Sequence, residues 1–231
     1  MNVYLLQIVN GIGVGMLYFL LAVGLSIVFG LLRFVNFAHG AFYLLGAYLC
    51  YQALQWSANF WVALAVVPLV VGAFAWGVEK LVLRHVYAQQ HEFHILATVG
   101  LALVLQECAI LAWGPLGDNV PPPDALNGVV IWGGFVYPKY RLFVIAFTAV
   151  LAAPIRGVDP FMGIEALGIA FVVVVVGGMG NFLGALVGGL LVGIVQSLMS
   201  TLWPEGARLM IYVAMAAVLL LRPNGLLGRA A

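Results

Sequence analysis

The sequence predicts an all-α fold, a polytopic bundle of transmembrane helices with broken or re-entrant helices and a small external loop hairpin. Only 7% of the 231 residues are charged and 65% are hydrophobic, whereas a soluble domain carries about 25% charged residues. Successive apolar segments fill most of the chain, enough for roughly six to eight spans of about 20 residues each. The 28 glycines are typical of membrane helices whose backbones approach closely. The length leaves no room for a large soluble domain.

The apolar segments are interpreted as helices, because a helix satisfies its own backbone hydrogen bonds in lipid and an open strand does not. The first segment is expected to be a span and not a signal peptide. No Lys or Arg precedes residue 33, and the run is longer than the apolar region of a signal peptide. The segments are 4–32, 37–56, 60–78, 93–113, 142–153, 166–203 and 209–221.

Three polar segments are expected to be loops. Residues 84–94 and 153–163 are short, and 113–141 is the longest, with a Pro-Pro-Pro run that excludes a helix. The stretch VVIWGGFVY within 113–141 predicts a small hairpin lying on the membrane surface.

The segment 166–203 is too long for one span and is interrupted by GGMGNFLG at 177–184. Two interpretations stay open: two short helices that meet inside the bilayer, as in transporter pathways, or a tight turn between two ordinary helices. Glycines recur every four residues after the interruption and also in the first segment, which predicts close helix packing at Gly11, Gly15, Gly188, Gly189 and Gly193.

The motifs of several enzyme classes are absent from the sequence. Neither of its two lysines follows a glycine, so no phosphate-binding GxxxxGK[ST] loop exists, and HExxH and GxSxG are missing as well. His85, His91 and His94 form one polar cluster with Glu92, but they lack a firm third ligand for a metal. A solvated loop is therefore favoured over a metal site, and no cofactor is expected.

Few polar groups lie inside the apolar segments. Gln106 and Glu107 do, and an ionised carboxylate at that depth is costly unless it is paired or wetted. Glu107 is therefore expected to face the protein interior or a cavity, or to be neutral, with a structural hydrogen bond to a neighbouring helix as the alternative. Cys50 and Cys108 also lie in apolar runs and are interpreted as small buried side chains.

The stretch NFAHGAFYLLGAY, 36–48, follows the first apolar segment. Asn36 has the chemistry of a helix cap, His39 falls in the first turn, and Gly40 permits the close approach of a backbone or ligand. A capped helix start at the membrane face and a re-entrant turn that lines a translocation path both fit these residues.

This stretch also resembles the signature at the second span of the LivH-type permease subunits of branched-chain amino acid ABC transporters. The resemblance extends in order along the chain. It covers ATVGLALVLQECAILAWGP, PPPDALNGVVIWGGFVYPKYRLFVIAF, GVDPFMGIEALGIAFVVVVVGGMGNFLGALVGGLLVG and the C-terminal LLLRPNGLLGR.

The resemblance implies a bacterial inner-membrane permease, not an enzyme. Its partners would be a related second permease, two cytoplasmic ATPase subunits that bind the ATP, and a periplasmic substrate-binding protein. Substrates in the family include branched-chain and other amino acids, urea and short amides. The C-terminus, with Arg222 and Arg229, would be cytoplasmic. The implied elements of the translocation path are Asn36, Phe37, His39, Gly40, Glu107, Gly177, Gly178, Gly180 and Gly184.

One departure from the family is large. The single permease domain, 1–231, joins FVIAFTAV directly to LAAPIRGVDP at 150/151. Compared with the family, roughly 50–60 residues are missing, about one helical hairpin that includes the segment coupling to the ATPase. The shortened chain is expected not to couple as it stands, and a truncated homologue with a structural or regulatory role is the main alternative. Two weaker alternatives are an intramembrane enzyme that uses His39, Glu107 or the histidines of residues 85–94, and an autonomous channel.

Overall fold

The computed structural model describes residues 3–32, 36–57, 59–87, 89–117, 120, 123–132, 135–146 and 159–228. Within those residues the chain forms nine α-helices and one two-stranded sheet. The helices are α1 Val3–Leu32, α2 Ala38–Ser57, α3 Phe60–Val78, α4 Arg84–Val86, α5 His91–Trp113, α6 Lys139–Ala146, α7 Met162–Gly177, α8 Phe182–Leu202 and α9 Ala207–Leu221.

Most of these helices have the length and composition of membrane spans. The described part of the chain contains five such spans: Val3–Gly30, Phe60–Val86, Glu92–Trp113, Phe182–Leu202 and Pro204–Leu221. α2 has 20 residues but is more polar, and α7 has 16 residues. The predicted polytopic helical fold is confirmed.

The predicted loop at 84–94 is wrong at both ends. α3 continues through a π-helical turn, Glu79–Leu83, into α4, and α5 already begins at His91. The interruption is therefore shorter than predicted, since α4 ends at Val86 and α5 begins at His91. Polar side chains alone do not exclude a helix, and neither Gly nor Pro occurs between residues 79 and 94.

Contacts within the chain divide it into two compact units. The first unit comprises Met1–Arg33, Asn127–Ala149 and Gly168–Ala231, and the second comprises Phe34–Leu126 and Val150–Leu167. Each unit is assembled from separate stretches of chain, so neither is a contiguous domain.

In the first unit, α1 and α8 pack against each other at glycine residues. A Cβ at Gly11 would lie 2.6 Å from the Cα of Ile194, and one at Gly15 would lie 2.8 Å from the carbonyl oxygen of Gly189. A Cβ at Gly193 would lie 2.3 Å from the backbone nitrogen of Gly15. Backbone therefore contacts backbone, which is how membrane helices gain van der Waals contact without a hydrophobic driving force.

α7 and α8 form an antiparallel hairpin, so the chain reverses at the GGMGN stretch. A Cβ at Gly184 would lie 2.3 Å from the carbonyl oxygen of Gly177, and one at Gly188 would lie 2.7 Å from that of Val173. The Asn181 side chain caps α8 by accepting a hydrogen bond from the Gly184 nitrogen at 3.1 Å. The structure shows that a tight turn joins the two helices, and α7 has only 16 residues; whether this turn lies inside the bilayer or at its cytoplasmic face stays a prediction.

The C-terminal residues 222–228, here called the C-terminal clamp, pack against this turn. The backbone nitrogen of Leu226 donates to the carbonyl oxygen of Val176 at 2.8 Å, and that of Leu227 donates to Gly177 at 3.0 Å. The Asn181 amide donates to the Leu227 carbonyl oxygen at 2.7 Å. The clamp thus adds three hydrogen bonds to the turn.

Two glycines of left-handed conformation make this contact close. Gly178 has φ 106° and Gly225 has φ 80°. A Cβ at Gly225 would lie 2.6 Å from the Gly178 nitrogen, and one at Gly178 would lie 2.5 Å from the Gly228 nitrogen. Only glycine adopts such φ values readily, so both the conformation and the space require it here.

In the second unit, aromatic side chains of α2 and α5 form the centre of a hydrophobic core. Tyr48 stacks on Trp113, with ring centroids 5.1 Å apart and an interplanar angle of 28°. The Trp113 indole nitrogen donates to the Gln52 side-chain oxygen at 3.0 Å. The side-chain oxygen of Gln52, a polar residue of α2, is therefore hydrogen-bonded to a neighbouring helix.

The predicted hairpin in the 113–141 loop is confirmed. Its antiparallel strands are β1 Val129–Trp132 and β2 Phe135–Pro138, with Val130 opposite Tyr137. Burial raises the pKa of the Tyr137 hydroxyl, although the neighbouring Arg141 acts in the opposite direction.

α6 follows the hairpin directly, and Arg141 donates to the Asn10 side chain of α1 at 3.1 Å. The predicted junction at 150/151 lies outside the described residues, as does the second part of the apolar segment 142–153.

Candidate functional site

The NFAHG stretch builds the start of α2. The Asn36 side chain accepts a hydrogen bond from the Ala38 nitrogen at 3.0 Å, and the Asn36 carbonyl accepts one from the His39 nitrogen at 3.2 Å. These bonds satisfy donors that a helix leaves open in its first turn. The capped helix start is confirmed, with His39 half-buried in the first turn. That it also lines a path stays a prediction.

Gly40 is the point where α2 meets α7. A Cβ at Gly40 would lie 2.1 Å from the carbonyl oxygen of Gly163, and a Cβ at Gly163 would lie 2.7 Å from that of Gly40. The close approach expected at Gly40 is therefore to another backbone. No pattern in the sequence predicts Gly163 as its counterpart, because Gly163 ends a polar segment and belongs to no glycine repeat.

A pocket of about 160 Å³ opens beside this crossing, within the second unit. Its walls come from α2, α5 and the start of α7, with Phe37 at the end that leads into α2. A cavity of about 150 Å³ takes up a benzene ring, so this pocket can hold a small aliphatic group. The lining residues are Phe37, Ala41, Leu44, Val99, Ala102, Leu103, Gln106, Gly163, Ile164 and Leu167.

Two adjacent polar residues in the apolar part of α5, Gln106 and Glu107, have different environments. Gln106 is buried and supplies the one amide among the pocket-lining residues. Glu107 was expected to face the interior, but its side chain is exposed at the surface of this chain. Leu105 and Gln106 are both buried, whereas Glu107, about 100° further around the helix, lies beyond the buried face. The place of Glu107 in a path stays a prediction.

Cys108, expected to be buried, is also exposed, whereas Cys50 is partly buried. Cys108 directly follows Glu107, and both side chains are exposed, so the apolar run alone did not reveal the orientation of Cys108.

Within the predicted histidine cluster, His94 makes contacts that stabilise the region where α4 ends and α5 begins. His94 Nε2 lies 2.9 Å from the carbonyl oxygen of Val86, and its ring packs edge-on against Tyr87. Among the described residues, no group of three or more His, Cys, Asp or Glu side chains could hold a metal ion.

The glycines of the GGMGNFLG stretch serve close packing. Gly177 and Gly184 contact each other's backbone, Gly178 contacts the C-terminal clamp, and a Cβ at Gly180 would lie 3.5 Å from the Cα of Gly30. None of the four lines the pocket of the second unit. Their role as path elements stays a prediction.

Comparison with known proteins gives the family. The family model described as "Branched-chain amino acid transport system / permease component" matches residues 7–153 and 134–220. No solved structure matches the chain at a significant level.

Three relatives illustrate the similarity. The chain is 25% identical to the high-affinity branched-chain amino acid transport system permease protein BraD of Pseudomonas aeruginosa, over 98% of the chain and 96% of the relative. It is also 25% identical to the LivH permease proteins of Salmonella typhimurium and Escherichia coli, with the same coverage.

These relatives contain residues that the chain lacks. The alignment with BraD covers 299 positions, whereas the chain has 231 residues, so at least 68 positions have no counterpart in the chain. The family match nevertheless covers most of the sequence. The chain belongs to the family of permease components of branched-chain amino acid transport systems, which are multi-pass membrane transport subunits and not enzymes.

Proposed function

We propose that the chain is a permease subunit of an ABC importer and forms part of the path by which branched-chain amino acids cross the membrane. Family membership supports the transport role. The observation that supports branched-chain amino acids as the substrate class is the apolar pocket beside the start of α2. Its lining is aliphatic or aromatic except for Gln106.

The lining favours an aliphatic substrate over urea or a short amide. Leucine, isoleucine and valine have side chains that gain free energy when apolar surface leaves water. Urea has several hydrogen-bonding groups and almost no apolar surface, so against these walls most of its groups would lose their partners. Gln106 could pair with one polar group of a passing amino acid.

The NFAHG residues have distinct roles in this proposal. Phe37 forms part of the pocket wall, Asn36 fixes where α2 begins, and Gly40 sets the distance between α2 and α7. His39 lies in the first turn, where its ring can both donate and accept hydrogen bonds. Glu107 and the glycines at the turn between α7 and α8 remain further candidate elements of the path. These glycines are Gly177, Gly178, Gly180 and Gly184.

The proposed assembly contains a related second permease, two cytoplasmic ATPase subunits and a periplasmic substrate-binding protein, in a bacterial inner membrane. The sequence has no phosphate-binding loop of its own, so ATP would be bound by the partner subunits. Arg222 and Arg229 after the last helix favour a cytoplasmic C-terminus.

Leucine uptake tests the pocket directly. The chain is expressed with its importer partners in cells that lack other leucine uptake, and uptake of labelled leucine is measured together with membrane abundance. Ala102→Phe should fill the pocket and reduce uptake to a small fraction at unchanged abundance. Ala112→Phe is the matched control, because Ala112 lies on the same helix but is exposed. Equal uptake by both variants would refute the proposed pocket.

A transport-incompetent homologue with a structural or regulatory role is the second candidate. The observation that favours it is the set of at least 68 alignment positions without a counterpart in the chain, together with the junction predicted at 150/151. The intact mass of the protein from its native source separates the candidates. A mass near 24.7 kDa without copurifying ATPase would support the second candidate, and stoichiometric ATPase would exclude it.

A further inference from the structure

Polar side chains meet in the first unit near the start of α1, the start of α6 and the end of α8. Arg141 of α6 donates to the Asn10 side-chain oxygen at 3.1 Å. The Ser197 hydroxyl of α8 donates to the Gln7 side-chain oxygen at 2.8 Å. Gln7 and Asn10 are three residues apart in α1, so they lie on the same side of that helix. The polar cluster is defined by Gln7, Asn10, Arg141 and Ser197.

The hydrogen bonds within the polar cluster use its acceptors and leave its donors. The side-chain oxygen of Asn10 accepts from Arg141, and that of Gln7 accepts from Ser197. Each of the two amides also has an NH₂ group with two donors, and the guanidinium has five N–H groups. The cluster therefore presents mainly donors to an incoming ligand, and converging donors suit an anion.

The charge of the cluster favours the same kind of ligand. Among the described residues, no carboxylate forms an ion pair with Arg141. Burial raises the pKa of the neighbouring Tyr137 hydroxyl against the effect of Arg141, so that neighbour is a neutral phenol. Lys139 is exposed at the first residue of α6, the end of a helix that attracts anions. The guanidinium thus keeps its positive charge available for a ligand.

A carboxylate fits this site better than a lipid phosphate. The planar fork of a guanidinium matches the two oxygens of a carboxylate. Gln7 and Asn10 are half-buried, so their amides are within reach of a small group only. Asn10 lies about 10 Å along α1 from Val3, whereas phosphates of the bilayer lie outside its hydrocarbon region.

We propose that the polar cluster binds the α-carboxylate of the amino acid substrate, with Arg141 as the charged group and the amides of Gln7 and Asn10 as further donors. This inference rests on the proposed function, since it takes its ligand from the proposed substrate class. None of the residues that line the pocket of the second unit is charged. That pocket suits the aliphatic side chain of the substrate, so the carboxylate needs a site of another composition.

Ligand competition tests which group the importer recognises. The assembly is purified in phosphatidylcholine nanodiscs without its binding protein, and binding of labelled leucine is measured. 4-Methylpentanoate, which keeps the carboxylate but lacks the ammonium group, should compete. Leucinol, in which a hydroxyl replaces the carboxylate, should compete at least about tenfold more weakly than leucine. Equal competition by leucinol and leucine would contradict the proposal.

Asn10→Asp is the most informative variant, because it gives Arg141 a permanent carboxylate partner in almost the same volume. Leucine binding should fall at least about tenfold, since the new carboxylate takes the place of the ligand's own. Thermal stability should stay unchanged or rise, because α1 and α6 gain an ion pair. If Arg141 only joins the two helices, Asn10→Asp should bind leucine normally, and that result would overturn the proposal.

Substitutions of Arg141 test the charge itself. Arg141→Gln should lower leucine binding at least about tenfold. Arg141→Lys should lower it less, because lysine keeps the charge but not the planar fork. Arg208→Gln is the matched control, since it removes an exposed arginine from the first turn of α9 and should leave binding unchanged. Equal binding by Arg141→Gln and Arg208→Gln would contradict the proposed site.

Leucine uptake by the complete importer, measured together with membrane abundance, separates this inference from the proposed function. If the unsubstituted assembly imports no leucine, the proposed function fails. If it does, and Asn10→Asp imports leucine as well as Arg208→Gln does, only the carboxylate site fails. Loss of uptake with undiminished leucine binding would also overturn the site. Arg141 would then contact a lipid phosphate or an acidic residue of the binding protein.

Discussion

In the first unit, α1 and α8 meet over Gly11, Gly15, Gly189 and Gly193, whereas in the second unit α2 and α7 meet over the single pair Gly40 and Gly163. The first contact extends over several helical turns. The second is one point beside an open pocket. An extended glycine contact fixes two helices along their length, but a single contact leaves space next to it. The second arrangement is the one that could admit a substrate.

The comparison of the two helix contacts predicts that substitution of Gly193 causes the largest loss of stability. A Cβ there would lie 2.3 Å from the Gly15 nitrogen and 2.4 Å from its Cα, and backbone atoms inside a packed helix pair cannot move aside. Gly193→Val should therefore destabilise the protein by more than about 4 kcal/mol. Membrane abundance and thermal unfolding in detergent measure this effect.

Gly72→Val provides the control for that experiment. A Cβ at Gly72 in α3 meets nothing within 4 Å, so the same substitution should be tolerated. Similar losses at both positions would mean that valine itself, and not the contact of α1 with α8, is responsible.

A smaller effect on stability is expected at Gly40. Gly40→Ala would place a Cβ 2.1 Å from the carbonyl oxygen of Gly163 and should cost about 1–3 kcal/mol as α2 and α7 separate. Because the pocket lies beside this pair, leucine uptake per molecule in the membrane should fall as well. Uptake and unfolding are measured on the same preparations.

Gly46→Ala, also in α2, is the control for Gly40→Ala. The added methyl would lie 3.9 Å from a Val71 methyl, an ordinary contact, and alanine favours the helix by about 0.5–1 kcal/mol over glycine. This variant should be at least as stable as the unsubstituted chain. Normal uptake by Gly40→Ala would separate the helix crossing from transport.

The C-terminal clamp extends the comparison to a turn of the first unit. Gly225 has φ 80° and would direct a Cβ to 2.6 Å from the Gly178 nitrogen. Gly128 also has positive φ, 103°, but nothing lies within 4 Å of its Cβ position. Gly128→Ala should therefore cost about 1 kcal/mol from backbone conformation alone, and Gly225→Ala about 2 kcal/mol.

Thermal unfolding and protease sensitivity of the C-terminus measure this difference. If both alanine variants lose the same stability, the clamp does not depend on close contact at Gly225, and its three hydrogen bonds are enough to hold it.

The two regions also differ in how far the sequence revealed them. Glycines four residues apart in one helix mark a packing face, so Gly11, Gly15, Gly189 and Gly193 were predictable as a group. Gly163 was not, because a single contact between distant segments has no period. The pocket depends on that contact and was missed for the same reason.

Helix orientation set a second limit on prediction. The apolar run that contains Gln106 and Glu107 indicates a span but has no clear amphipathic period, so it does not reveal which of the two residues faces inwards. The prediction for Glu107 followed from the cost of a charge in lipid, and the structure places Gln106 inside instead.

The smallest expected loss of stability follows from replacing a capping asparagine, and it separates the capping role of Asn36 from a role in transport. Asn36 caps α2, and Asn59 caps α3 by accepting hydrogen bonds from the nitrogens of Trp61 and Val62. Replacing either asparagine by alanine should cost about 1 kcal/mol of stability, so the two variants should be equally abundant in the membrane. Only Asn36 precedes the pocket-lining Phe37, so Asn36→Ala alone should lower leucine uptake. Asn36→Ser, which can still cap a helix, should recover both stability and uptake if Asn36 acts only by positioning α2. Recovery of stability without uptake would indicate instead that the asparagine side chain itself contacts the substrate.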